Sequence, residues 1–479
     1  MKLDFARNTR RNALANAIGT CTKLLFPFLN RTLFLWLLGP GYLGLNGLFG
    51  SILGVLMLAE LGFGTAVVCS MYKPVADDDR ELVCAYLEFY RNVYRCVGLA
   101  IFAMGLCLLP FLDGLVHGDV PPGVDLRTLY VIHLVNTSAS YFLFAYRGSV
   151  LGAHNRNDVI VNIRTGVSAA QYVAVFAILA LTRNYCHYVI ATVFFTVVQN
   201  ILLVAASRRI FPDISPRGDL PAALRRKVLS DVKSIFLHKV GGVVAYSMDN
   251  VVISAFLGLV AVAAYGNYYY VVTAVAGLAS ILSVSATGGF GNRIYTAPKS
   301  ENFALFMRME RITLLLSVWC AAVMTATYQP FMELWTKCDP SLMRHMLTPV
   351  LMVAYFYVNQ TRQMLLSFKS AAGLWRQDRL KPIVSGAFNL TANILFVVFL
   401  PSAYKLDGVI LSTILAFVLV EIPWETKVVF SGFFGPLEAK PYFRMQAGFL
   451  AAAAGASALA CLAARAIPLD GFAGLAAKG

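Results

Sequence analysis

LGPGYLGLNGLFGSILGVLMLAELGFGTAVVCSMYKP, residues 38–74, decides the class of this protein. From the turn at Gly39 to Lys73 it holds one charged side chain, Glu60. Residues 42–70 form an apolar run longer than the roughly 20 residues a helix needs to cross the hydrocarbon of a bilayer. Such runs recur along the whole chain, and basic residues fill every second gap between them. In hydrocarbon every backbone N–H and C=O must be satisfied within the protein, which leaves helices or closed barrels. Barrel strands alternate apolar and polar side chains. Residues 51–59 (SILGVLMLA) and 394–400 (ILFVVFL) do not, so the chain reads as an all-α polytopic membrane protein.

Composition agrees. Of the 479 residues, 58% are hydrophobic and 14% charged, against about 25% charged in a soluble domain. The net charge of +15 is spread over many short loops, which speaks against nucleic acid as a partner and for anionic lipid headgroups. The basic N-terminus precedes a run interrupted by Lys23 and Arg31, with no A-x-A-like site after a short core, so no cleavable signal is expected. Nine cysteines show no C-x-x-C or Cys/His metal spacing and read mainly as small apolar filler.

About thirteen spans are expected, near 13–38, 42–70, 92–113, 126–152, 158–182, 186–207, 238–258, 261–290, 310–334, 345–368, 381–401, 406–429 and 443–467. They divide into a six-helix lobe (1–207), a basic cytoplasmic linker with an amphipathic helix (208–237), a second six-helix lobe (238–430) and one additional span (431–479). The inner-face set of charges includes Arg7, Arg10, Arg11, Lys73, Arg80, Arg164, Arg362, Lys369 and Lys381, and it is richest over 208–239. The outer set is sparse: Arg127, Arg183, Lys337, Arg344 and Lys405. This bias places the N-terminus in the cytoplasm.

The two lobes look duplicated. RTLFLWLLGPGYLGLN (31–46) and NVVISAFLGLVAVAAYGN (250–267) each run from an apolar span through a glycine, Gly39 or Gly258, and a very short turn to Asn46 or Asn267. Aligning them takes a two-residue insertion, yet both lie at the first hairpin of a six-span half. An even number of spans per half makes this a parallel repeat, with the substrate path expected between the halves.

The segment 38–74 resembles the N-terminal signature of bacterial polysaccharide transporters. These are the repeat-unit flippases of the multidrug/oligosaccharidyl-lipid/polysaccharide exporter superfamily. HKVGGVVAYSMDNVVISAFLGLVAVAAYGNYYYVV (238–272) is similar to the matching element of the second half, and GGFGNRIY (288–295) fits after it. The resemblance implies two six-helix lobes around a central cavity. It also implies translocation of undecaprenyl-diphosphate-linked oligosaccharides in the cytoplasmic membrane of a bacterium, with polysaccharide assembly proteins as further partners. Such proteins commonly have twelve or fourteen spans, so an ending at LAAKG after a thirteenth implies a truncated C-terminus or a degenerate last pair.

A diphosphate headgroup bearing sugars cannot cross hydrocarbon unaided, and ionisable residues inside spans are functional candidates by default. Arg31, Lys23 and Asn30 in the first span suit phosphate, Arg31 above all because its planar fork matches phosphate oxygens. Glu60 and Asp249 are candidates for coupling to a cation, proton or sodium, or for structural ion pairs with Lys23, Arg31 or Lys239. Asn250, next to Asp249, is a further cavity candidate. Arg147, Arg293 and Lys239 lie near inner ends and read as snorkelling to headgroups, with cavity lining as the alternative for the two arginines. Tyr265 and its neighbours Tyr268, Tyr269 and Tyr270 read as an interfacial belt, with stacking on sugar rings as the alternative.

Three function classes follow: a lipid-linked oligosaccharide flippase, a drug or metabolite exporter of the same superfamily, and an integral membrane polymerase or ligase. Small cationic drugs want acidic, aromatic walls, whereas Lys23 and Arg31 favour an anion. The enzyme class wants catalytic groups on a sizeable outer loop, and 114–125 and 335–344 are short. No nucleophile–base constellation, metal cluster or nucleotide loop is evident, so neither catalysis nor a cofactor is expected.

Overall fold

The structure, a computed structural model, describes residues 22, 25–60, 63–117, 120–143, 145–294, 297–374, 377–466 and 471–479. All regular elements among them are helical. Among the described residues, eight helices combine the length and composition needed to cross a membrane, from Arg80–Leu115 to Pro436–Ala466. Shorter apolar helices, Leu25–Leu38, Pro40–Leu56 and Ser247–Leu257, fill the remaining first-hairpin positions. The protein is an all-α multi-pass membrane protein, as its hydropathy predicts.

Two spans expected to be continuous are broken. The second runs as Pro40–Leu56, a 3-10 turn Met57–Glu60, then Phe63–Ala76. The fourth runs as Leu126–Phe142, the 3-10 turn Ala145–Arg147, then Gly148–Ala153. Irregular backbone at membrane depth is tolerated where protein buries it, and each break carries an ionisable residue that needs partners, Glu60 or Arg147.

The opposite correction applies to the linker. Its amphipathic segment is continuous with the seventh span in one helix, Ala222–Leu257. At 36 residues this helix is about 54 Å long, well beyond the ~30 Å of hydrocarbon, so part of it stands outside the apolar layer.

The chain divides into two compact units, Met1–Val243 and Val244–Gly479. In the first, Asn157–Thr182 packs on Tyr185–Ile210, and Leu126–Phe142 packs on both Arg80–Leu108 and Tyr185–Ile210. In the second, Leu259–Arg293 and Lys299–Thr336 both pack on Leu347–Ala371, and Lys381–Phe399 packs on Lys405–Ala416. The additional span, Ala439–Ala466, docks along Lys299–Thr336. There Tyr442 joins a buried cluster with Phe290, Phe306, Phe368 and Phe430, and Gln446 donates to Glu310.

The sequence repeat has a backbone counterpart. Gly39 (φ 97, ψ 176) and Gly258 (φ 87, ψ 173) adopt nearly the same conformation at the start of Pro40–Leu56 and Leu259–Arg293. Both φ values lie where a Cβ is strained, so a glycine at this hairpin is a steric requirement in each half.

Candidate functional site

Asp249 lies two turns from the end of Ala222–Leu257 and is 1% exposed. Its carboxylate accepts hydrogen bonds from Asn393 Nδ2 at 2.6 Å, Tyr265 Oη at 3.0 Å and Thr413 Oγ1 at 3.3 Å. A second tier holds those donors. Asn393 Nδ2 also donates to Asn389 Oδ1 at 3.2 Å, Ser412 donates to Asn393 Oδ1, and Asn389 Nδ2 reaches Thr413 at 3.0 Å and Ser412 at 3.3 Å. Two helices of the second unit, Lys381–Phe399 and Lys405–Ala416, and the start of Leu259–Arg293 thus converge on one acid. Asp249 has no cationic partner among the described residues; the side chain of Lys239 lies outside them. A charge buried with neutral donors only is costly to keep. Such a carboxylate, held by one amide N–H and two hydroxyls, suits a proton or, with the hydroxyl protons turned away, a small hard cation.

Tyr265 was expected in an interfacial belt. Instead it is buried, donates to Asp249 and stacks on Tyr269 with centroids 5.7 Å apart. Tyr268 is buried as well and donates to Gln329 at 3.2 Å. The belt expectation fails for both because their hydroxyls find partners inside the bundle, which removes the need for the headgroup layer.

Glu60 ends the 3-10 turn Met57–Glu60 in the second span. Tyr94 and Tyr141 donate one hydroxyl to each of its carboxylate oxygens. Tyr141 stands beside the break in the fourth span, so the acid ties the two interruptions together. Tyr90 packs against Tyr94 with centroids 4.3 Å apart and completes an aromatic wall. No ion pair reaches Glu60 among the described residues, and Lys23 lies outside them.

Arg31 is half-buried on Leu25–Leu38 and has a partner of its own. Its neighbour Asn30 donates to Tyr188 at 3.1 Å, and Phe34 meets Tyr185 and Tyr188 edge-on. These contacts fix the first helix against Tyr185–Ile210. A cavity of about 110 Å³ beside the first helix is lined by Thr22, Pro27, Arg164, Ser168 and Tyr172, which brings Arg164, read from sequence as an inner-face charge, beside the first span.

Arg147 is 5% exposed and donates to the Ile214 carbonyl at 3.1 Å, which contradicts snorkelling to headgroups. It holds the linker against the break. Asn250 is half-buried beside Asp249 and also has a partner. Arg293 closes Leu259–Arg293, and its side chain lies outside the described residues.

Sequence reasoning missed one constellation entirely. Arg362, Lys369 and Lys381, counted as inner-face charges, are buried. Arg362 bonds Glu425 through Nε at 3.0 Å and Nη2 at 2.7 Å, and Nη2 also reaches Glu421. Lys381 bonds Glu425 and approaches Glu421 at 3.5 Å and Asp378 at 3.7 Å, while Lys369 bonds Asp378. Three cations face three carboxylates. The available signal was Glu421 and Glu425, one helical turn apart inside an apolar run.

The chain is thus a multi-pass helical membrane protein with a hydrogen-bonded acid in each unit, Asp249 buried and Glu60 half-buried. Its structure is similar to that of an inward-facing multidrug resistance MATE family transporter of the MOP superfamily, with TM-score 0.61 and 13% identity over 87% of this chain and 98% of that one. It is also similar to the lipid II flippase MurJ in an inward closed conformation, with TM-score 0.65 and 12% identity over 97% of this chain and 95% of that one. At these identities the likeness is one of fold. No curated protein matches the sequence. Residues 9–287, more than half of the chain, match the polysaccharide biosynthesis protein family, and the chain belongs to that family.

Proposed function

We propose that the protein is a flippase that moves undecaprenyl-diphosphate-linked oligosaccharide repeat units across the bacterial cytoplasmic membrane by alternating access. The observation that carries this reading is the family match over residues 9–287, on a fold similar to those of transporters. The physical task fits the residues. A diphosphate needs cationic contacts, which Arg31 with Asn30 and Lys23 would provide, and Arg147, Asn250, Tyr265 and Arg293 become secondary contacts at most. Asp249 would be the group that exchanges the coupling cation, and Glu60 the corresponding acid of the first unit.

The test is translocation of a fluorescent lipid-linked oligosaccharide by the purified protein in proteoliposomes. Transport by the parent, lost in Arg31→Ala while folded protein remains, supports the reading. Arg31→Lys should keep part of the activity if charge matters, and little if the bidentate fork does.

Export of a small cationic compound is the second reading. It is favoured by the tyrosine wall around Glu60, which supplies acidic and aromatic surfaces together. Efflux of a cationic dye without movement of the lipid-linked substrate would select it.

A further inference from the structure

Lys381, Ser385, Asn389 and Asn393 follow one another at four-residue spacing on Lys381–Phe399, so they form one stripe along a single face. The stripe rises about 18 Å, more than half of the ~30 Å hydrocarbon layer. The facing helical stretch, Ser402–Phe434, answers with Thr413, Glu421 and Glu425. The contacts run in register. Lys381 meets Glu425, Ser385 Oγ donates to Glu421 Oε1 at 2.6 Å, Asn389 meets Thr413, and Asn393 meets Asp249. The other side of Lys381–Phe399 carries exposed Ile383, Val384, Leu395 and Val398, as a lipid-facing surface should. One or two polar residues suffice to fasten membrane helices together. A continuous polar file from a helix end to a buried acid is the pattern of an ion pathway.

The end of the file is plugged by the Arg362–Glu421–Glu425–Lys381 cluster, and its two glutamates are unequal. The Glu425 side chain is wholly buried and holds both cations, through two bonds to Arg362 and one to Lys381. The Glu421 side chain is 14% exposed, shares Arg362 with Glu425 and lies at the end of a π-helical turn, Phe417–Glu421. Such turns are frequent at functional sites because their backbone ladder is already irregular. Glu421 can swing away while Arg362 and Lys381 keep a counter-charge in Glu425.

We propose that this file is the hydrated cytoplasmic access path to Asp249 and that Glu421 is its gate. The proposal rests on the reading that Asp249 exchanges the coupling cation. It narrows that cation to a proton, because a hydrated metal ion would have to pass Arg362 and Lys381, whereas a proton needs only water along hydroxyl and carboxylate groups. With Glu421 swung out, the file joins the Asp249 carboxylate to cytoplasmic water, and a proton that crosses between this file and the opposite side by way of Asp249 completes the exchange.

Cysteine accessibility tests the path separately from coupling. Ser385→Cys and Asn389→Cys are made in the full chain, with Val398→Cys as a lipid-facing control. Inside-out vesicles are treated with a small water-soluble thiol reagent, and modification is read by the mass of the peptide that carries each position. Both file positions should be modified and the control should not. Adding Glu421→Gln should raise the rate about tenfold, the population shift expected when a charge-assisted hydrogen bond is lost. Absence of modification at 385 and 389, with or without Glu421→Gln, overturns the path. Transport driven by an imposed sodium gradient but not by a pH gradient overturns the assignment to protons. Modification at both positions with a gradient response retained in Asp249→Asn supports the path and removes Asp249 as its destination.

Discussion

Asn393 donates a 2.6 Å hydrogen bond to Asp249 and so joins the seventh and eleventh spans at a single buried carboxylate. Because the other donors, Tyr265 and Thr413, are also neutral, neutralising the acid strands no charge among the described residues. The Asp249→Asn variant should therefore keep its thermal stability in detergent within about 1 kcal/mol. It should lose the dependence of transport on an imposed gradient. By contrast, Asp249→Leu orphans three donors at about 1–3 kcal/mol each and should melt markedly earlier. Equal melting of the two variants would show that the donors do not depend on the carboxylate.

The ion-pair cluster of the second unit should respond unequally to its two glutamates. Glu425→Gln leaves Arg362 and Lys381 short of their main buried partner and should cost about 3–5 kcal/mol. Glu421→Gln should cost about 1 kcal/mol, since the amide oxygen still accepts from part of the Arg362, Lys381 and Ser385 set while Glu425 retains both cations. Combining Lys381→Met with Glu425→Gln should recover part of the loss. Denaturant unfolding followed by tryptophan fluorescence gives all three values, and a Glu421→Gln variant as unstable as Glu425→Gln would reject the asymmetry.

At Gly39, φ is 97° and nothing lies within 4 Å of the position a Cβ would occupy. A substitution there meets no steric neighbour and suffers only backbone strain. We expect Gly39→Ala to lose about 1–2 kcal/mol. Circular dichroism during thermal unfolding measures this, and an unchanged midpoint would mean that the hairpin relaxes to another turn.

Topology is testable without any assumption about substrate. Reporter tags after residue 404 should label from outside. Tags after 76, 217 and 373 should label only from the cytoplasm, as the basic bias of their loops requires. Reversal at two or more of these sites would invert the access path together with the span orientation.

The sequence by itself determined the class of this protein and the places where it turns. Runs such as 394–400 have one stable form in hydrocarbon, so helix follows from apolar length alone. The twinned glycines could be found because their backbone demand is local: φ near 90° strains any residue with a Cβ whatever packs nearby. The two acids that now anchor the candidate sites, Glu60 and Asp249, were visible for a related reason, since a carboxylate within a span is conspicuous on its own.

Only the tertiary structure decided which partners those acids keep. The bond between Asp249 and Asn393 crosses 144 positions, and no periodicity encodes a contact between helices. Tyr265 and Arg147 sit where hydropathy predicts an interface, yet each is buried because one partner group, the Asp249 carboxylate or the Ile214 carbonyl, lies within reach. Arg362, Lys369 and Lys381 illustrate the same limit. In sequence they are indistinguishable from cations that face headgroups, and only packing brings Asp378, Glu421 and Glu425 close enough for the ion pairs to outweigh the cost of leaving water.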